Sequence, residues 1–206
     1  MVINASFAIA TRRQSGNAGR TVAEAILDFI GRVPGSGEHR SRNPAERARS
    51  IANAAAANAA LTAGSLALPP GPLGWLTILP ELVAVWKIQA QMVADIAGIY
   101  GRSATLTREQ MIYCLFRHAA AQAVRDLMVR VGERILVQQS SLRVLQGVAE
   151  KIGIHITKHA IGKGVSRWVP IAGALGVGAY AYYDTGQVAR TAIELFRHEI
   201  EINPIK

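Results

Sequence analysis

The sequence contains one cysteine, Cys114, and few aromatic residues, which make up 6% of its 206 residues. A single thiol excludes an internal disulfide and a metal site built from several cysteines, and it favours a reducing compartment. Charged residues are also scarce at 18%, whereas half of the residues are apolar. A chain of this length and composition can bury the core of one domain.

Catalytic motifs are lacking as well. Glycines 173, 176 and 178 do not follow the order G-x-G-x-x-G, and no strand pattern precedes them, so they do not predict a dinucleotide site. The lysine in IGKG (161–164) lacks the Ser or Thr that follows it in a P-loop. Cys114 has only His118 as a local base, which is too little for a Cys–His nucleophile. We therefore predict no catalytic residues and no cofactor, and an enzyme is the less favoured alternative.

Positive charge is in excess and unevenly placed. The formal net charge is +9, yet residues 51–80 carry no charge, and residues 101–167 carry eleven basic against four acidic residues. Such a surface suits phosphate groups, and a solvated set of helix surfaces is the alternative interpretation. Nucleic acid is disfavoured as a partner, because no recognition-helix or zinc-finger pattern occurs and aromatic residues are not interleaved with the arginines.

Helix signals recur along the chain. Thr21 and Thr107 each begin a capping box, and Asn43 precedes a proline at a first helical position. A stripe with helical period predicts one helix from Thr107 to about Val137; its members are Ile112, Leu115, Phe116, Ala119, Ala123, Leu127, Val131 and Ile135. No strand pattern competes with it. We predict an all-α fold, a single compact bundle of about seven helices, with a flexible arm over residues 1–20 and one helical domain over residues 21–206.

A central hairpin of small residues is expected within this bundle. An alanine-rich helix should end near Leu68, the PPGP of residues 69–72 should break the chain, and a second helix should run from about residue 78 to Tyr100. The tip carries Leu73, Trp75 and Leu76, which are candidates for membrane contact. Packing of the tip on the protein core is the other interpretation, and the sequence leaves both open.

The stretch WVPIAGALGVGAYAYYDT (168–185) is apolar and free of charge until Asp184. It falls short of the roughly 20 apolar residues that an independent membrane span needs. Its small residues favour close helix packing instead, and we expect it to lie against the uncharged helix near residues 51–68. Asp184 is predicted to cap a separate last helix that Pro204 stops.

Two sets of polar residues are candidate binding groups. Glu81, Gln91 and Asp95 lie along one side of the helix that ends at Tyr100. These three residues and Tyr100 are predicted to contact a ligand. The alternative is that they form an ordinary surface that faces solvent. His155 and His159 have the i,i+4 spacing of helical zinc ligands, but no third ligand is identifiable. No metal is therefore predicted, and these histidines are the candidates if one binds.

Two segments resemble the bacterial EcsC family. The first segment is LPELVAVWKIQAQMVADIAGIYG (79–101), which is similar in its acidic start, its Gln-containing middle and its IA-x-x-YG end. The second segment is GKGVSRWVPIAGALGVGAYAYYDTGQVARTAIELF (162–196), which is similar in its small-residue helix followed by Asp184 and Thr185. The resemblance covers roughly residues 45–200. The family takes its name from a protein encoded beside an ABC transporter, and the resemblance implies association with membranes or membrane proteins. It supplies no established catalytic residue.

Together these patterns predict a non-enzymatic accessory protein, cytoplasmic and peripheral to the inner membrane. The apolar run before Arg12 and Arg13 is too short and interrupted for a secretion signal. The expected partner is an anionic membrane surface or a membrane protein complex, with homo-oligomers as a further expectation. The alternatives are a soluble helical adaptor or self-associating protein and, less favoured, a metal- or ligand-binding enzyme.

Overall fold

The computed structural model describes residues 20–29, 31–66, 74–162 and 170–203. These residues are mainly helical, which confirms the predicted class in its coarser form, but they also contain a small sheet. The helices are α1 (residues 20–29), α2 (Pro44–Leu66), α3 (Gly74–Ile99), α4 (Arg108–Val124), α5 (Leu142–Gly162) and α6 (Pro170–Arg197). The strands are β1 (Met128–Val131), β2 (Arg134–Gln138) and β3 (Glu199–Asn203). Residues 1–19 of the predicted arm and residues 67–73 of the predicted tip, including Leu73, lie outside the described residues.

Helices α2, α3 and α6 form the central layer. Gln89 on α3 donates a hydrogen bond to Thr185 on α6, and one turn earlier Val85 and Ala181 share a small buried cluster. This constant offset means that α3 and α6 run parallel. The backbone N–H of Ser41, just before α2, donates to the carbonyl of Ile99 at the end of α3. Helix α2 is therefore antiparallel to both of its neighbours.

The contact between α2 and α6 is the most extensive helix–helix contact of the described chain. It is close because small residues face each other, with Ala59 and Ala63 of α2 buried beside Ala181 of α6. A Cβ atom on Gly178 would lie 3.0 Å from the carbonyl oxygen of Ala60. For the described part of the stretch, residues 170–185, the expected packing against the alanine-rich helix is thus confirmed.

Helix α3 supplies much of the main core. Trp86 is 5% exposed and meets Phe116 of α4 edge to face, with ring centroids 5.4 Å apart. The helix is capped as predicted by Gly101, which follows its end at Ile99 and adopts a φ of +74°. The N–H groups of Gly101 and Arg102 bond back to the carbonyls of Gly98 and Ala97, which is a Schellman motif. It begins earlier than predicted, at Gly74, so Pro80 lies inside the helix rather than in its first turn.

The predicted helix from Thr107 to Val137 is wrong beyond Val124. The Thr107 capping box is present, but Ala120 already leaves helical geometry, and residues 128–138 form an antiparallel hairpin with Met128 opposite Val137. Gly132 takes a φ of +63° at the turn, a conformation that glycine adopts without strain. Strand β3 pairs in parallel with β2, completing a three-stranded sheet that the all-α prediction did not include.

Helix α6 is continuous from Pro170 to Arg197, so the predicted break at Asp184 is wrong. The Asp184 side chain bonds to residues of two other helices and does not cap a new one. The chain also leaves helical geometry at His198 and continues as β3, before Pro204 is reached. Six α-helices therefore lie in the described residues, where about seven were predicted.

Candidate functional site

A polar junction joins α3, α4 and α6 at Asp184. One carboxylate oxygen of Asp184 lies 2.6 Å from Nε2 of His118, and the other accepts a hydrogen bond of 2.7 Å from Nε2 of Gln89. Gln89 also donates to the hydroxyl of Thr185 at 3.2 Å. Both Asp184 oxygens are thereby engaged, each by a different helix.

The residues of this junction are buried or nearly buried, so its hydrogen bonds matter for stability. Gln89 and Thr185 are 1% and 0% exposed, whereas the side chains of Asp184 and His118 are 16% and 19% exposed. A buried amide without acceptors would destabilise the fold, so Asp184 and Thr185 satisfy a requirement created by Gln89. Tyr180, one turn before Asp184, has a raised pKa, chiefly because its phenol is partly desolvated and then because of the nearby Asp184 carboxylate.

The His118–Asp184 pair resembles the orienting half of a nucleophilic site, but the described residues supply no nucleophile to complete it. Cys114 lies one turn before His118 and is 0% exposed, and burial raises the pKa of its thiol far above the ordinary value. A protonated, inaccessible thiol cannot attack a substrate. We therefore infer that the junction has a structural role, in which side-chain hydrogen bonds connect three helices. Sequence reasoning named Asp184 and His118 in other roles and missed Gln89 altogether.

The predicted polar side of α3 faces a segment of the same chain. Nε2 of Gln91 donates to the carbonyl of Gly35 and to Asp95, each at 3.0 Å, and the hydroxyl of Ser36 donates to Asp95 at 2.8 Å. Gly98, one turn later, leaves room for this segment, since a Cβ there would lie 2.9 Å from the carbonyl oxygen of Glu38. The geometry brings Gln91 and Asp95 together and gives both of them a partner in the loop before α2.

The remaining candidates are scattered. Tyr100 is half-buried at the end of α3, and Glu81 lies on the same helix, its side chain outside the described set. His155 is exposed on α5, and the side chain of His159 is likewise not described. Within the described ranges no group of three or more His, Cys, Asp or Glu residues could hold a metal ion. The ligand and metal predictions stay predictions.

An uncharged end of the molecule is formed by three helices. It comprises residues 51–66 of α2, 74–80 of α3 and 170–183 of α6, none of which carries a charge. The helix directions place these segments side by side, although they are far apart in the sequence. Leu61 and Leu175 are 73% and 71% exposed there. We call this set of segments the uncharged end; it includes Trp75 and Leu76 in helical positions, with side chains outside the described set.

Exposed tyrosines form the last turn of the uncharged end on α6, and a lysine of α3 lies beside them. Tyr180, Tyr182 and Tyr183 are 57%, 50% and 63% exposed. The offset between α3 and α6 places Lys87, which is exposed, at the level of Tyr183. Exposed arginines follow farther along both long helices, at Arg49 of α2 and Arg190 of α6.

One described helix is long and apolar enough to cross a membrane. It contains the segment Leu82–Ile99, of which 61% is buried inside the protein, as in the core helix of a folded domain. This segment therefore gives only weak evidence for a membrane span. No family model, curated protein or solved structure matches the chain.

Proposed function

We propose that this protein is a non-enzymatic helical protein that binds the surface of an anionic membrane through its uncharged end. The observation that carries the proposal is the meeting of three uncharged segments at one end of the fold, where Leu61 and Leu175 are exposed. Large exposed side chains such as Leu61 and Leu175 are favoured in hydrocarbon, and each would contribute about 1.5–3 kcal/mol on full burial. The accessory role in a membrane complex and the resemblance to the EcsC family belong to the same proposal.

The part of the uncharged end that lies beyond the level of Glu81 fits a shallow insertion. Glu81 is the first charged residue of α3, and it is seven residues beyond the start of that helix at Gly74. Seven residues of α-helix span about 10 Å. Helices and tips that bind at an interface bury their apolar surface about 5–10 Å into the boundary between headgroups and acyl chains. This depth supports peripheral insertion, in which the apolar part of the end enters the bilayer and Glu81 stays with the headgroups.

The order of residues along the helices also fits a lipid surface. Tyrosines are enriched where a protein crosses from hydrocarbon to water, because the ring is apolar and the hydroxyl needs hydrogen bonds. Tyr180, Tyr182 and Tyr183 occupy that level, and Lys87 lies among them. The net charge of +9 would attract the whole protein to anionic lipids before insertion.

Vesicle co-sedimentation tests this proposal. The protein should pellet with vesicles that contain phosphatidylglycerol, and its binding should weaken as salt screens the long-range attraction. Equal binding to purely neutral vesicles, or no binding to either kind, would contradict the proposal. Size-exclusion chromatography with light scattering identifies the alternative, since a stable oligomer that ignores lipid would favour a self-associating adaptor.

A pair of variants locates the contact. The double change Leu61→Asp and Leu175→Asp should lower the vesicle partition coefficient at least about tenfold, because it replaces apolar surface at the bilayer boundary with charge that anionic headgroups repel. Leu142→Asp is the matched control, since Leu142 is 66% exposed but lies on α5, outside the uncharged end. Equal losses in both variants would place the contact elsewhere.

A further inference from the structure

A cavity of about 160 Å³ lies where the sheet meets α4 and α6. Its apolar lining consists of Met128, Ile135 and Leu195, which are 8%, 9% and 2% exposed. Its polar lining consists of Tyr113, Arg117, Arg130 and Glu194. The cavity thus combines an apolar floor with a rim that carries two guanidinium groups and one carboxylate.

Arg117 is held in place at this rim. Its Nη1 donates to Oε2 of Glu194 at 2.8 Å, and its guanidinium carbon lies 5.3 Å from the centre of the Tyr113 ring. A carboxylate on one side and an aromatic face on the other fix a planar guanidinium without using all of its five donors. Arg117 can therefore present further N–H groups to a bound molecule at little cost in side-chain entropy.

Arg130 supplies the second positive charge. Its Nε donates to the carbonyl of Gly132 in the turn of the hairpin at 3.3 Å, which holds the side chain toward that turn. Among the described residues its terminal nitrogens have no acidic partner. Glu194 balances one of the two arginines at the rim, so the lining keeps an excess of one positive charge.

Size and chemistry together define what the cavity accepts. A closed apolar cavity of about 150 Å³ in another protein holds a molecule of the size of benzene. The floor here suits an aromatic ring or a short branched chain, and the two guanidinium groups suit a carboxylate, which they can bind through paired N–H donors. We propose that this cavity binds a small monocarboxylate with an apolar body, its carboxylate between Arg117 and Arg130 and its body on Met128, Ile135 and Leu195.

The cavity is distinct from the proposed membrane contact. Glu194 is nineteen residues beyond Leu175 on the same continuous helix, which corresponds to about 28 Å. A lipid headgroup at the uncharged end cannot reach that far. The bound molecule is therefore a free solute, and the cavity can be tested without any membrane.

Calorimetric titration with benzoate at constant ionic strength tests the proposal. Benzoate should bind saturably with a dissociation constant on the order of 1 mM or tighter, as ligands of this size can do in a good site. Acetate, which lacks the apolar body, and benzamide, which lacks the charge, should each bind at least about tenfold more weakly. The methyl resonances of Met128 and Ile135 should shift on addition of benzoate.

Two arginine variants make the test specific. Arg130→Met should weaken benzoate binding at least about tenfold, because it removes one of the two charge-assisted hydrogen-bond donors. Arg143→Met should leave it unchanged, since Arg143 is exposed on α5 and does not line the cavity. Absence of saturation up to about 10 mM benzoate would overturn the proposal, because that affinity is below what the site chemistry predicts. Equal affinity for benzamide, or equal weakening by both variants, would also overturn it.

Discussion

Gly178 of α6 lies against Ala60 of α2 so closely that a Cβ atom on Gly178 would stand 3.0 Å from the Ala60 carbonyl oxygen. The neighbouring atom belongs to helix backbone, which cannot rotate away as the end of a flexible side chain can. This contact sets the distance between the two helices that form most of the uncharged end. It makes a glycine a structural requirement in the middle of a helix, where glycine is otherwise unfavourable.

A matched pair of glycine variants checks this contact. Gly178→Leu should lower the free energy of unfolding by about 1–3 kcal/mol, because the larger side chain must push α2 and α6 apart. Gly176→Leu, two residues earlier, should raise it by about 0.5–1 kcal/mol, since a Cβ at Gly176 meets nothing within 4 Å and leucine favours helix. Urea denaturation followed by circular dichroism measures both. Similar effects of the two changes would contradict the close approach.

The polar junction at Asp184 gives a second prediction. Asp184→Ala should lower the free energy of unfolding by about 1–3 kcal/mol, because the buried Gln89 amide loses its shorter hydrogen bond and His118 loses its partner. Asp126→Ala is the control, since that carboxylate pairs with Arg125 while 86% exposed. It should change stability by less than about 0.5 kcal/mol. Urea denaturation measures the free energy of unfolding of both variants. Equal decreases would show that the junction does not stabilise the fold.

Cys114 predicts a dependence of stability on alkaline pH. Burial raises the pKa of the Cys114 thiol in the folded protein above its ordinary value of 9, so the unfolded chain loses this proton first as the pH rises. The thiol's contribution to stability is present below pH 9 and is lost above it, by about 1.4 kcal/mol per pH unit.

Comparison with a cysteine-free variant isolates that contribution. Urea denaturation between about pH 8 and pH 10 should give a steeper loss of stability for the parent protein than for Cys114→Ala. The folded parent should also resist thiol-reactive reagents that modify it at once when unfolded. Rapid modification of the folded protein, or identical slopes for both proteins, would show that Cys114 is accessible.

Much of the helical framework follows from local sequence signals. The Thr107 capping box, the start of α2 at Pro44 and the glycine that ends α3 all lie where local chemistry predicts them. The sequence does not predict the sheet because Val131 and Ile135, which lie in its strands, also fit the helical stripe. The run of Val and Ile around Gly132 is the local signal that favours a hairpin, and it competes with a longer helix whose capping box is strong.

The candidate sites were less predictable, because they depend on contacts between distant residues. The sequence predicts Asp184 as a helix cap because Gln187 follows three residues later, whereas its partners Gln89 and His118 are far away in the sequence. The cavity requires Arg117, Arg130 and Glu194 to meet, and only the unexpected sheet brings Arg130 there. The uncharged end, by contrast, is formed by parts of two charge-free stretches, residues 51–80 and 168–183, which are visible directly in the sequence.

Depth-dependent fluorescence tests membrane insertion of the uncharged end most directly. An environment-sensitive fluorophore would be attached to a single cysteine, either Leu175→Cys or Leu142→Cys, in the Cys114→Ala background. Vesicles of phosphatidylglycerol with brominated acyl chains would quench its fluorescence. Both parent residues are exposed, at 71% and 66%, but only Leu175 belongs to the uncharged end. The account predicts a blue shift and quenching of the label at position 175, with no change at position 142. An unchanged label at position 175, or equal quenching at both positions, would contradict it.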